Sequence, residues 1–372
     1  MLKKRILSFL GAAALTAALT FAVVSLSPSN GFTSGSMQEG MSYEVCGVSP
    51  DAIVASLDGN GASADLITYW IGYNATYLNS YMQYYGGGAL DWDYVMSDGT
   101  AMPDYIKQDV LATVKQELLI ENLAKKYGVT LTDEQRAAIE SEEQSFIEQY
   151  GSEEAFEEEL AKLGLRRETY ERITATNYLY QNLYKLYLTE GSALYASDED
   201  LAAYAAAQNY ITADHILLTT VDTATGKALS DETIAKKKAL AEELAEKLKN
   251  YTGDDLASYF AELADEYSED PGRASYPTGY TFTTGSMVKE FEDAAYALDE
   301  GAVSDIVESS FGYHILLRLP LDKAAAAESV REAYFTNFID EQLEKVTLAT
   351  SEQFDALDAQ ALYEAIVAAQ AE

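Results

Sequence analysis

The stretch 285–319, GSMVKEFEDAAYALDEGAVSDIVESSFGYHILLRL, constrains the fold of this chain more than any other. Its pattern reads as helix, turn, strand, loop, strand. Met287 and Phe291 stand four apart and are expected on one helix face. Ala294, Ala295 and Leu298 continue the apolar side. Gly301 falls where a helix C-cap glycine is expected. Val303, Ile306 and Val307 give a short apolar segment. Tyr313-His314-Ile315-Leu316-Leu317 then reads as a buried strand carrying a histidine. The chain has two histidines. The other, His215, sits in Asp214-His215-Ile216-Leu217-Leu218. The same His-Ile-Leu-Leu run thus occurs twice, and the copies read as neighbouring strands of one small sheet rather than as a repeat.

The segment before this stretch supports that sheet. Residues 211–219 are expected as a strand, and 231–250 and 256–267 as helices. Ile234, Leu240, Leu244 and Leu248 mark the inward face of the first helix. Ser268-Glu269-Asp270-Pro271-Gly272 reads as a turn, and Tyr280-Thr281-Phe282 as extended. The order is βααβαβ over residues 210–320, helices packed on a small sheet, an α+β domain.

The flanks have a different character. Residues 62–209 read as almost wholly helical, with Tyr69, Tyr73, Tyr77 and Tyr81 recurring every four residues. A second tyrosine-rich helix carries Tyr178, Tyr180, Tyr184 and Tyr187. Such helices either bury aromatics in a core or offer a groove for unfolded peptide, since tyrosine gives large contact area with a polar tip. After Pro320, helices are expected over 322–347 and 353–369, docking on the N-terminal helical region.

Charge narrows the function. The chain has 372 residues, 61 acidic against 25 basic, and a net charge of −36. A polyanionic partner would be repelled, which argues against nucleic acid. The N-terminus carries Lys3-Lys4-Arg5, an apolar run over 6–26 and then Ser-Pro-Ser-Asn-Gly. This reads as an export signal, either cleaved after Ser25 or Ser27 or retained as a membrane anchor. Cys46 is the single cysteine, so no internal disulfide can form. One cysteine and two histidines give no metal-site spacing. The expected organisation is a signal peptide or anchor at 1–27, a flexible tether at 28–50 and a helical chaperone-like region at 51–209. The mixed domain follows at 210–320, and C-terminal helices at 321–372.

Within 211–319 the residues resemble the parvulin-type peptidyl-prolyl isomerase domain. The matching pieces are Ala213-Asp214-His215-Ile216-Leu217, Tyr267-Ser268-Glu269-Asp270, Gly285-Ser286-Met287-Val288, Glu290-Phe291, Gly301-Ala302-Val303-Ser304 and Phe311-Gly312-Tyr313-His314-Ile315. Their order and spacing span the domain. The layout of signal segment, helical region, one such domain and C-terminal helix is similar to that of PrsA/SurA-like extracytoplasmic foldases.

The resemblance implies roles. His215 and His314 become paired core histidines, Asp270 falls where the family has Cys or Asp, and Ser309 matches a family hydroxyl. Met287, Phe291 and Phe282 fall on proline-pocket positions. The chain departs from the family at Tyr276-Pro277-Thr278-Gly279-Tyr280, which replaces Gly-Gly-Asp-Leu-Gly, so Gly279 or Tyr280 stands where a pocket leucine is usual. The implied chemistry is rotation about X–Pro bonds. Amide resonance sets a barrier of roughly 18–20 kcal/mol, and uncatalysed exchange takes tens to hundreds of seconds. The twisted amide is less polar than the planar one, so a dry apolar pocket favours it. No cofactor is implied. Expected partners are unfolded or secreted polypeptides containing proline, at the outer face of the cytoplasmic membrane or beyond. A homodimer through the aromatic helices stays open. The alternative is a non-enzymatic extracytoplasmic chaperone with a degenerate parvulin domain.

Overall fold

The computed structural model describes residues 24–25, 31–84, 88–222 and 225–371. The N-terminal segment expected to direct export lies outside the described residues, apart from the backbone of β1 (Val24–Ser25). Among the described residues no helix is long and apolar enough to cross a membrane. The chain divides into two compact units, 1–194 with 338–372, and 195–337.

The first unit is helical around a small sheet. Strands β2 (Ile53–Leu57) and β3 (Asn60–Ser63) form an antiparallel hairpin, and β2 also pairs with β8 (Ala349–Thr350). Asp58 and Gly59, at φ 50° and 82°, supply the positive angles that a tight hairpin turn requires. Helix α2 (Ala64–Tyr84) packs on α3 (Met102–Tyr127), and α3 on α6 (Arg167–Tyr187). The terminal helix α13 (Ala359–Ala371) lies against α2, where a Cβ at Gly72 would collide with Ile366. Tyr69 is buried, whereas Tyr77, Tyr81 and Tyr84 at the other end of α2 are exposed. Within the stretch expected to be a tether, Met41–Cys46 is instead a helix, α1. Asp51 anchors that stretch by accepting from the backbone N–H groups of Ser36 and Met37.

The second unit holds the mixed domain. Its sheet is antiparallel, in the order β5 (Tyr280–Phe282), β4 (Ile211–Thr219), β7 (Gly312–Leu319), β6 (Val307–Glu308). The two His-Ile-Leu-Leu runs are the central pair, β4 and β7. Strand alternation sends their side chains to opposite faces. Ile216, Leu218, Ile315 and Leu317 pack on α8 (Asp231–Lys249) and α9 (Leu256–Tyr267). Ile211, Ala213 and Leu316 face α10 (Lys289–Ala297) on the other side. Both central strands are therefore buried on both faces, which explains their continuous apolar runs.

Two local expectations change. Met287 is not on the helix: α10 starts at Lys289, with Val288 as its extended N-cap. Gly285 takes φ 85°, and the Glu292 carboxylate reaches back to accept from the Gly285 N–H at 2.7 Å, which holds residues 285–287 outside the helix. Gly301 does not cap α10 either. The helix ends at Ala297, and the Gly301 N–H donates to the Arg318 carbonyl, joining the loop to β7.

Candidate active site

Register brings the histidines together. His215 stands opposite Leu316, and Leu217 opposite His314, so the two rings are diagonal neighbours on one face. Their centroids are 5.4 Å apart. Both residues are buried. Neither Nδ1 finds a hydrogen-bond partner among the described residues. Ser309 Oγ lies 2.7 Å from His314 Nε2. Asp270 Oδ2 lies 3.6 Å from His215 Nε2. A polar row thus runs Ser309, His314, His215, Asp270.

The turn carrying Asp270 is fastened to β4. The Ser268 hydroxyl accepts from the Leu217 N–H at 3.1 Å, and the Glu269 N–H donates to the Leu217 carbonyl at 2.8 Å. The Glu269 carboxylate accepts from the backbone N–H and the hydroxyl of Thr219 and pairs with Lys237. Burial raises that carboxyl, but these donors pull it down on balance. These bonds place Asp270 beside His215.

The apolar wall stands over the row. The Phe291 ring meets His215 edge-on at 5.1 Å and His314 at 5.6 Å. Phe282 lies 5.7 Å from Phe291, and Met287 packs against the apolar cluster that contains them despite its place outside the helix. Phe282 and Phe291 are buried, and Met287 is partly buried. All seven residues singled out from the sequence therefore gather on the α10 side of the sheet.

Burial holds His215 down to about 4, with Asp270 opposing and Arg273 adding to the effect. Burial likewise holds His314 down to about 4, aided by His215 and opposed by Asp270. Both rings are neutral at pH 7. The site is polar in shape but carries no imidazolium.

Residues 215–319 match the rotamase family profile, the PPIC-type PPIase domain. Residues 215–319 form a parvulin-type domain. A foldase protein PrsA from Staphylococcus aureus is 29% identical over 231 residues, covering 62% of this chain and 64% of the relative. Foldase protein PrsA 4 from Bacillus cereus is 49% identical over 84 residues, covering 22% of this chain and 28% of the relative. The chain thus spans less than two thirds of the length of these relatives. The solved parvulin of Nitrosopumilus maritimus is 36% identical, covers 30% of this chain and 96% of its own, and superposes with a TM-score of 0.21.

The parvulin domain also contains site residues that the sequence marked only as departures. The Tyr280 hydroxyl donates to Asp270 Oδ2 at 2.6 Å. Its ring stacks on His215 at 5.6 Å. Burial, then the bond to Asp270, raises the Tyr280 hydroxyl well above the usual phenol range. Gly272 and Gly279 make room for this arrangement. A Cβ on Gly272 would strike the Tyr280 hydroxyl, and one on Gly279, at φ 91°, would meet the Ala213 carbonyl oxygen at 2.8 Å. The pair Tyr276 and Tyr280, four apart across Pro-Thr-Gly, was the available signal, but nothing in the sequence says that one of them reaches Asp270. Arg273 is the other addition. Its guanidinium pairs with Asp214 at 2.6 Å and with Asp265 at 2.8 Å.

Proposed function

We propose that this chain is an extracytoplasmic foldase whose parvulin domain isomerises X–Pro bonds in unfolded or newly secreted proteins. The observation that carries the reading is the convergence of His215, His314, Asp270 and Ser309 beneath Met287, Phe282 and Phe291. The family match over 215–319 and the foldase names of the relatives support it. The basic and apolar N-terminal sequence supports export, with cleavage or anchoring both compatible.

In this reading Met287 contacts the proline ring, with Phe291 and Phe282 packed behind it. The neutral histidines give a floor of low polarity, which favours the twisted amide over the planar one. Ser309 holds the His314 ring by a hydrogen bond, and Asp270 stands beside His215 at 3.6 Å. Asp270 shapes the field near the carbonyl and acts as no nucleophile. The exposed Tyr77, Tyr81 and Tyr84 on α2 support peptide holding by the helical unit. The same face is compatible with a homodimer.

Refolding of a client limited by a non-native X–Pro bond tests the proposal. The foldase reading expects a faster slow phase at substoichiometric protein. Higher yield at an unchanged rate is the result of the alternative, a chaperone with a degenerate parvulin domain. The observation favouring that alternative is Tyr280, which stacks on His215 beside Gly279 at the usual leucine position.

A further inference from the structure

We propose that Tyr276, packed at a tilt against Tyr280, forms a subsite for the side chain adjoining the proline and that this subsite selects lysine or arginine. The proposal rests on the isomerase reading for where the proline sits. The Tyr276 ring is 4.6 Å from Tyr280 yet Tyr276 is 51% exposed. Tyr280 in turn stacks on His215. An aromatic run therefore leads from the floor of the site to solvent.

The segment that presents Tyr276 is wound into successive turns. The Arg273 N–H donates to the Asp270 carbonyl, the Ser275 and Tyr276 N–H groups to the Gly272 carbonyl, and the Gly279 N–H to the Tyr276 carbonyl. The Gly272 N–H donates to the Asp270 carboxylate at 3.1 Å. A platform fixed this way loses little entropy on binding.

Local charge sets the preference. Asp214, Asp265 and Asp270 are opposed on this side by Arg273. That guanidinium is committed: Nη1 to Asp214, Nε to Asp265 and Nη2 to the Ala261 carbonyl, with its side chain 12% exposed. Lys237 is held by Glu269. The Asp270 carboxylate accepts from the Tyr280 hydroxyl and lies beside a neutral histidine, and among the described residues no ion pair joins it to a lysine or arginine. An exposed phenol face next to net negative charge favours a cation through both the ring quadrupole and Coulomb attraction. A glutamate or a phosphorylated residue at the same place is repelled.

Peptides Ala-Xaa-Pro-Phe and Ala-Leu-Pro-Xaa, with Xaa arginine, lysine, leucine or glutamate, test this on the full chain. Both kcat/KM for isomerisation and Kd by fluorescence anisotropy are read. Arginine and lysine peptides are expected to exceed leucine by about two- to fivefold, the worth of an exposed cation–π contact, and glutamate by more. Tyr276→Ala should bring the arginine-to-leucine ratio to about one, and Tyr276→Phe should keep the preference. Salt at about 1 M should narrow the lysine–glutamate gap. Equal values for arginine and leucine, or a Tyr276→Ala variant that slows every peptide alike, overturns the subsite. Turnover without preference sinks the subsite and leaves the isomerase. Tyr276-dependent binding of arginine peptides without turnover sinks the isomerase and leaves the subsite. Absence of binding and turnover overturns both.

Discussion

Ser309 Oγ lies 2.7 Å from His314 Nε2, and this pair closes one end of the polar row that Asp270 closes at the other. The hydroxyl is the partner of a ring whose other nitrogen has none among the described residues. Ser309→Ala therefore leaves a buried ring without a hydrogen bond. The expected cost is about 1–3 kcal/mol, read as a lower midpoint in urea unfolding, with Ser309→Thr recovering most of it. A Ser309→Ala protein as stable as the parent would show that the bond contributes nothing net.

The histidines make stability depend on pH. In the unfolded chain they take up protons as pH falls through 6.5, but in the folded domain burial delays this to about 4. The unfolded state binds more protons across that window, so stability falls as pH drops from 6.5 towards 4. Each shift corresponds to roughly 3 kcal/mol in the limit of independent titration. Urea unfolding between pH 7 and 5, above most carboxylate titration, should show the loss. His314→Gln should flatten the slope whatever its own baseline. A His314→Gln variant whose pH dependence matches the parent's in this range would mean that this ring titrates as an exposed one.

The sheet and the histidine pair were legible because the continuous apolar runs of β4 and β7 and the doubled tetrapeptide both survive in one dimension. Other features depend on contacts that the sequence does not order. The spacing of Met287 and Phe291 fits a helix, but the Gly285 backbone and the Glu292 carboxylate stop the helix short of Met287. The composition of 28–50 suggests a tether, but the Asp51 carboxylate gathers the backbone of Ser36 and Met37. Tyr280 read as a gap in a family pattern. Only the pairing of β5 with β4 brings it over His215 and within reach of Asp270.

The helical unit carries its own titrating group. The Trp70 Nε1–H donates to Glu117 Oε2 at 3.2 Å, while Arg172 is engaged by Glu121. Burial pushes the Glu117 carboxyl up to about 8, with Trp70 opposing and Glu121 adding to the rise. A folded-state value above the unfolded one means stability that is full at low pH and lost as pH rises from about 4.5 to about 8. Glu117→Gln stays neutral and can still accept from Trp70. Its stability relative to the parent should therefore increase steadily between pH 5 and 8 in thermal unfolding. A difference that does not change with pH would contradict the assignment.

Exchange NMR on an Ala-Leu-Pro-Phe peptide tests the isomerase claim most directly, because it reads cis–trans interconversion without a coupling protease. With catalytic full-length protein, interconversion should rise far above the uncatalysed rate, which takes tens to hundreds of seconds. The His215→Ala and Met287→Ala variants, checked for folding by circular dichroism, should lose most of that acceleration. An exchange rate equal to that of peptide alone would contradict the account.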